Sequence, residues 1–258
     1  MPVKRGMPSY RLLLEYDGTG FHGWQVQPQV RTVQGEIERA LALLTRQAIR
    51  TAAAGRTDRG VHARGQVVSF ETDGALDCRR IVAGIQGICG DELKVRRLDA
   101  APPGFHARHD ARWRLYRYRV ALAASALSRD RAWHPRIPLC LPLLRAAAEP
   151  LLGAHDFSAF ANASPDDAHP VCAIDRADWE CVGEELVFAV RADRFLYKMV
   201  RTMVGTLVRA AAPGGGGAAT VAEILDGRDR RAAAPPAPAA GLCFMQVGYD
   251  PPWPPGAA

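Results

Sequence analysis

Lysine is nearly absent from this chain. It occurs only three times in 258 residues, so that 30 of the 33 basic residues are arginine, against 27 acidic residues and a formal net charge of +6. Arginine binds phosphate through paired hydrogen bonds and stacks on bases, and lysine does neither as well. Codon bias in a GC-rich genome would also enrich arginine, so composition alone leaves a nucleic-acid partner open.

Several other signals are missing. No apolar run approaches the roughly 18 residues of a membrane-spanning helix, and the first residues do not resemble a signal peptide, so we expect a cytoplasmic protein without a membrane partner. The six cysteines form no C-x-x-C pair, which argues against a zinc or redox site and favours buried free thiols. The glycine spacings of nucleotide-binding loops and the G-x-S-x-G elbow of hydrolases do not occur either.

The length allows one large domain or two small ones, and a hydrophobic content of 48% rules out a disordered chain. We predict the α+β class: two similar halves with mainly antiparallel sheets, forming a central sheet flanked by helices. The N-terminal half is expected over 9–110 and the C-terminal half over 111–250. Residues 1–8 and 251–258 are expected to be tails, the second one frayed.

Hydrophobic periodicity and turn residues place the elements within these halves. Strands are predicted over 10–16, 49–53, 66–70, 113–120, 178–182, 185–191 and 243–249. Helices are predicted over 33–45, 78–88, 139–152, 195–211 and 221–225. The glycine-rich residues 213–217 are expected to be a flexible loop, and the Ala/Pro-rich residues 232–240 a stiff extended one.

The densest group of charged side chains lies in residues 54–64, between two predicted strands. It places the carboxylate of Asp58 between Arg56 and Arg59, with His62 close behind. Neighbouring cations favour the ionised carboxylate, which suits a nucleophile or a base better than a general acid. A turn closed by an aspartate–arginine bridge is the structural alternative, and the residues alone leave both open.

Arginine alternates with aromatic residues in the strand predicted over 113–120. Tyr116 and Tyr118 share one face of this strand, and arginines occur on both faces. Exposed aromatics beside arginines suit nucleic acid, because rings stack on unpaired bases while cations meet phosphates. Packing between tyrosine and arginine on a solvated sheet face is the alternative.

A third candidate, Arg201, lies near the first turns of the helix predicted over 195–211. Its neighbours are apolar, so its side chain either extends to solvent or reaches a carboxylate such as Asp58. The chain also contains two His-Asp pairs, His109-Asp110 and His155-Asp156. A His-Asp pair is a feature of one class of metal phosphohydrolases. Their surroundings are strand-like and rich in arginine, which disfavours that class.

Eight ordered segments carry a resemblance to a known family. They are Gly55–Ala63 with Gln66-Val67, Glu15–Gln25, Thr32–Gly35, Phe105–Arg108, Arg114–Tyr118, His155–Phe160, Phe195–Arg201 and Gly241-Leu242. Together they span about residues 9–250 and resemble the TruA family, the tRNA pseudouridine synthase A enzymes.

The resemblance implies the pseudouridine synthase fold and the isomerisation of uridine to pseudouridine at positions 38, 39 and 40 in the anticodon stem-loop of tRNA. Asp58 matches the family's catalytic aspartate, and Tyr116 the tyrosine that stacks on the target base. Arg201 matches the basic residue that pairs with the aspartate, Arg56 an arginine that holds the flipped site open, and Leu242 a leucine of the pocket wall. Members of the family form symmetric homodimers and use no metal or cofactor, so the resemblance implies the same for this chain.

The chain departs from the family pattern at several places. The departures are Arg59, Gln86, Gly90, Cys172, Arg194 and the glycines of 214–217. None removes an expected catalytic group, so they bear on substrate contacts and turnover more than on reaction class. A non-catalytic tRNA-binding or chaperone protein on the same scaffold is the second hypothesis.

Overall fold

The structure is a computed structural model that describes residues 7–164 and 169–254. The predicted tails, 1–8 and 251–258, therefore lie partly outside the described residues. The chain divides into two compact units: residues up to Arg112 together with those from Phe244 onward, and Trp113–Cys243.

Within the described residues there are nine strands and five α-helices. The strands are β1 (Ser9–Tyr16), β2 (Ala52–Ala53), β3 (His62–Glu71), β4 (Leu93–Ala100), β5 (Trp113–Ala121), β6 (Gly153–Asp156), β7 (Val171–Val182), β8 (Glu185–Ala192) and β9 (Leu242–Gly248). The helices are α1 (Val33–Thr45), α2 (Cys78–Cys89), α3 (Leu141–Ala148), α4 (Met199–Ala210) and α5 (Gly217–Gly227).

The sheet of the first unit runs in the order β4-β1-β3-β9, with the short β2 paired to β3. Strand β1 pairs antiparallel with both β3 and β4. Helix α1 has the predicted bounds, because Thr32 caps its start by accepting a hydrogen bond from the Gly35 amide (3.2 Å). Its apolar positions Val33, Ile37 and Leu41 are fully buried and supply the helix's share of the core.

The sheet of the second unit runs in the order β5-β8-β7-β6, and each neighbouring pair in it is antiparallel. Helices α3, α4 and α5 pack on one another, and α3 also packs on β7. Large side chains without solvent exposure, among them Phe157, Phe160 and Phe188, fill this core. The predicted α+β class with mainly antiparallel strands is confirmed.

Several predicted bounds are wrong. Strand β4 was not predicted, because Arg96, Arg97 and Asp99 interrupt its apolar alternation. Helix α4 begins at Met199 instead of 195, since Lys198 adopts a left-handed conformation (φ 62°) that ends the preceding turn. The helix predicted over 139–152 stops at Ala148 and continues as a 3₁₀ turn.

The last described residues are ordered, contrary to the frayed tail that we expected. Trp253 is only 2% exposed, and its indole N–H donates to Asp99 Oδ2 at 2.8 Å. The Arg11 guanidinium lies 4.6 Å from the indole ring. Burial works to raise the pKa of Asp99, but the hydrogen bonds from Trp253 and Arg97 lower it overall.

The expectation of buried thiols is only partly correct. Cys89 and Cys172 are buried, whereas Cys140 and Cys181 are exposed and the other two cysteines are intermediate. Burial raises the pKa of the Cys89 thiol to about 11, so it stays protonated near neutral pH. In residues 7–164 and 169–254, no helix is both long enough and apolar enough to cross a membrane.

Candidate active site

Asp58 lies on the loop between β2 and β3 of the first unit. The loop turns sharply after the aspartate, since the Val61 amide donates to the Asp58 carbonyl (3.1 Å) and Gly60 takes a φ of 80°. The amide of Trp24 donates to the Thr57 carbonyl at 2.9 Å. Backbone bonds therefore hold the residues on both sides of the aspartate.

Two glycines allow other chain segments to approach this loop closely. A Cβ on Gly23 would lie 2.8 Å from the Thr57 carbonyl oxygen, and Gly23 itself has a φ of 89°. A Cβ on Gly18 would lie 2.0 Å from the Val61 carbonyl oxygen. Only glycine fits at these two positions without moving the loop.

Side chains from β1 and β3 hold the loop through hydrogen bonds. The fully buried Gln66 donates from Nε2 to the Gly55 carbonyl at 2.6 Å. The hydroxyls of Tyr16 and Thr57 lie 2.8 Å apart and share a buried hydrogen bond. At the far end of the loop, the Gly18 amide donates to His62 Nδ1 (3.1 Å).

Asp58 is half-buried on this loop, whereas Arg56 and Arg59 on either side of it are exposed. A carboxylate that is held by its backbone and still open to solvent is available as a nucleophile or a base. Its immobility matters, because the rate of such a step depends on the reacting atoms being held in a near-attack geometry.

Tyr116 and Tyr118 are buried, which corrects the expectation of exposed tyrosines on β5. Tyr118 has no solvent exposure and donates from its hydroxyl to the Pro238 carbonyl at 2.7 Å. Tyr116 is 7% exposed and packs edge-on against the Phe195 ring, with centroids 5.1 Å apart. The face of β5 that carries both tyrosines is therefore the packed one.

Arg201 lies in the first turn of α4 and is tied to the segment that leads into β9. Its Nε donates to the Ala237 carbonyl at 2.8 Å, and the Ala237 amide donates back to the Arg201 carbonyl at 2.9 Å. A 3₁₀ turn at 239–241 follows, and then the buried Leu242. Because Tyr118 bonds Pro238, this one segment connects β5, α4 and Leu242.

The five residues singled out by the sequence divide between the two units. Asp58 and Arg56 belong to the first unit, and Tyr116, Arg201 and Leu242 to the second. Within the second unit the structure connects these three residues through the segment 237–242.

Sequence reasoning missed the residues that brace the site. Gln66 offered one signal, a single amide side chain at the start of an apolar strand. Trp24 lies in the family-like segment Glu15–Gln25, but its role could not be predicted there because it acts through its backbone amide.

The His-Asp pairs have structural roles. Asp156 accepts from the amide (2.9 Å) and the hydroxyl (2.5 Å) of Ser158, and His155 Nε2 lies 2.7 Å from the Leu152 carbonyl oxygen. Asp110 accepts from the His106 amide at 2.8 Å. Among residues 7–164 and 169–254, no group of three or more His, Cys, Asp or Glu is placed to hold a metal ion.

The described residues form an α+β protein that presents a half-buried carboxylate, Asp58, between two exposed arginines on a loop held by backbone hydrogen bonds. A family model for tRNA pseudouridine synthase matches residues 13–110 and 147–250. The chain belongs to the tRNA pseudouridine synthase family.

Individual relatives match over nearly the whole chain. The tRNA pseudouridine synthase A of Methylobacterium sp. (strain 4-46) is 42% identical over 96% of this chain and 100% of its own length. That of Caulobacter vibrioides (strain NA1000 / CB15N) is 40% identical over 94% of this chain and 99% of its own. That of Halalkalibacterium halodurans is 43% identical over 90% of this chain and 89% of its own.

Proposed function

We propose that this chain is an isomerase that converts uridine to pseudouridine in tRNA, at positions 38, 39 and 40 of the anticodon stem-loop, with Asp58 as its catalytic carboxylate. The immobilised loop around Asp58 is the observation that carries the proposal. Membership of the tRNA pseudouridine synthase family supports the reaction and the substrate.

The reaction needs little beyond a carboxylate and a site that binds the uracil while it rotates. The N1–C1′ bond breaks, the uracil rotates, and a C5–C1′ bond forms. The C5 proton leaves to solvent and N1 gains a proton, so nothing is oxidised and no cofactor is needed. Asp58 can attack C1′, attack C6 or deprotonate the ribose, and each of these roles uses the same ionised carboxylate.

The other groups in this proposal are those that match the family's remaining site residues. The target base leaves the helical stack, which costs a few kcal/mol, and Tyr116 recovers part of this by stacking. In this proposal Arg201 pairs with Asp58, and Leu242 lines the wall of the pocket. Arg56 keeps open the site that the flipped-out nucleotide leaves. We further propose that the chain works in the cytoplasm as a homodimer.

The substitution Asp58→Asn tests the proposal, because it keeps the side-chain shape and removes the charge. We expect release of tritium from [5-³H]uridine-labelled tRNA to fall by at least about 10³-fold, as for the loss of a catalytic nucleophile or base. Asp91→Asn is the matched control, since Asp91 lies at the surface and pairs with Lys94 (2.6 Å).

Each outcome has a definite meaning. Wild-type turnover by the Asp58→Asn variant would refute the role of Asp58. A wild-type protein that binds tRNA without releasing tritium would favour the non-catalytic tRNA-binding or chaperone protein. Light scattering of the purified chain tests the homodimer, and a monomer at all concentrations would refute it.

A further inference from the structure

Lys198, immediately before α4, breaks three local rules at once. Its backbone is left-handed (φ 62°, ψ 6°), a conformation that residues other than glycine rarely adopt. It occupies the N-cap of α4 without a capping side-chain hydrogen bond. Its positive charge lies at the positive end of the helix dipole, where an anion is preferred. Such conflicts accumulate where function requires a particular residue.

The ammonium group of Lys198 has no carboxylate partner among the residues that the structure describes. It lies 4.9 Å from the centroid of the neighbouring Tyr197 ring instead. The side chain of Arg194, four residues earlier, likewise has no carboxylate partner within the described ranges.

Some arginines elsewhere in the same unit have carboxylate partners. Arg119 pairs with Glu185, and Arg191 pairs with Asp175 at 2.7 Å. By contrast, Arg194 and Lys198 precede α4 without a carboxylate partner among the described residues. A polyanion is the partner that such charges fit.

Tyr197 supplies a second, independent feature. Of the tyrosine, phenylalanine and tryptophan residues within 7–164 and 169–254, it is the only one with an exposed side chain, at 43%. Its backbone is fixed, because the Asn162 amide donates to the Tyr197 carbonyl at 3.0 Å. An exposed ring on a fixed backbone offers a stacking surface at little conformational cost.

We propose that Tyr197 and Lys198 form an RNA contact separate from the target-base site: Tyr197 stacks on an unpaired nucleobase, and Lys198 binds a neighbouring phosphate. This inference rests on the proposed function. The chain places this RNA contact near the proposed site residues. Phe195, which packs on Tyr116, and Arg201 lie only two to four residues away in the sequence.

The substitution Lys198→Gly tests the phosphate contact. Glycine accepts the left-handed backbone, so the melting temperature should stay the same or rise. Affinity for an unmodified tRNA transcript should fall several-fold, and the slope of log affinity against log salt should become shallower by about 0.7 to 1, as for one lost phosphate contact. Arg46→Gly is the matched control, because Arg46 also has a left-handed backbone (φ 58°) and the same charge at the end of α1. It should leave the salt slope unchanged.

Substitutions of Tyr197 test the stacking contact. Tyr197→Phe keeps the ring and should bind tRNA as the wild type does, whereas Tyr197→Leu should weaken binding about tenfold. In tritium-release assays, Lys198→Gly and Tyr197→Leu should raise KM and leave kcat within about twofold, because neither residue touches the reacting atoms in this proposal.

The results separate this inference from the proposed function. An active wild type whose Lys198→Gly and Tyr197→Leu variants bind tRNA with unchanged affinity and salt slope would overturn the inference alone. A lower melting temperature with a matching loss of kcat would also overturn it, by showing a structural role. An inactive wild type would refute the proposed function, whereas the predicted binding changes would still support the RNA contact.

Discussion

The two units hold their candidate residues by different means. In the first, the Asp58 loop is fixed by backbone hydrogen bonds and by close approaches at Gly18 and Gly23. In the second, buried aromatic packing and side-chain bonds to carbonyls hold Tyr116 and Arg201. A backbone-held loop fixes where an attacking group lies, whereas a side-chain-held surface can adjust to a base that enters it. We therefore expect the first region to tolerate the least change.

Among substitutions that leave the five proposed site residues unchanged, the largest effect is expected from Gly23→Ala. The new Cβ would lie 2.8 Å from the Thr57 carbonyl oxygen, and the φ of 89° strains any residue but glycine, so the loop must move. A displacement of about 1 Å at a reacting group can lower the rate about 100-fold, and we expect at least that loss of kcat. The free energy of unfolding should fall by about 1–3 kcal/mol.

Gly87→Ala is the control for that change. Gly87 lies exposed in α2, and a Cβ there meets nothing within 4 Å. Alanine should stabilise the helix by about 0.5–1 kcal/mol and leave tritium release unchanged. Full activity of Gly23→Ala would mean that the loop is not held as tightly as its contacts indicate.

A smaller effect is expected from Tyr116→Leu in the second unit. Losing a stacked base should lower kcat/KM about 10- to 100-fold. The affinity for tRNA should change less than about threefold, because phosphate contacts supply most of the binding and stacking on Tyr116 only offsets the cost of flipping the target base. Tyr116→Phe should retain activity. Equal losses of catalysis and affinity would contradict the stacking role.

The sequence predicted the elements better than it predicted which surfaces they cover. Alternation over 113–120 identified β5 correctly, yet the exposure of its tyrosines was wrong. Burial depends on Phe195 and on the segment 237–242, which are distant in sequence, and local alternation carries no information about them. Tyr197 is the one exposed residue among the described phenylalanines, tyrosines and tryptophans, and periodicity did not single it out because it lies inside a segment predicted to be a helix.

The candidate site shows the same division. Charge density alone drew attention to Asp58, and the family resemblance gave it a role. Gln66 and Trp24, which hold its loop, could not be found in this way, because their contacts join residues that only the folded chain brings together.

A modest effect on stability is expected from Tyr118→Phe. Removing the hydroxyl loses its hydrogen bond to the Pro238 carbonyl. Because Pro238 is exposed, water can replace this donor, so the free energy of unfolding should fall by about 0.5–1.5 kcal/mol. Burial raises the pKa of Tyr118 well above its ordinary value, although the nearby Arg201 charge opposes this.

The same substitution should alter stability in alkali. A phenol whose pKa is raised on folding contributes stability that is fully present below the pKa of the unfolded chain, about 10, and is lost as the pH rises above it. The wild type should therefore lose more stability than Tyr118→Phe between about pH 10 and 11. Denaturant unfolding at pH 7, 9, 10 and 11 measures the difference, and parallel curves would contradict it.

The smallest effect is expected from Glu185→Gln. Glu185 accepts both guanidinium bonds of Arg119, at 2.6 and 2.9 Å, but the arginine side chain is 43% exposed, so water screens the pair. The free energy of unfolding should change by less than about 1 kcal/mol. The substitution also releases one cation on β5, outside the segment 194–198 that precedes α4. If any unbalanced arginine of the second unit could bind the substrate, the salt slope of tRNA binding would steepen by about 0.7 to 1. If position decides, as the strained backbone of Lys198 indicates, the slope should stay unchanged, and the same titrations that test Lys198→Gly distinguish the two.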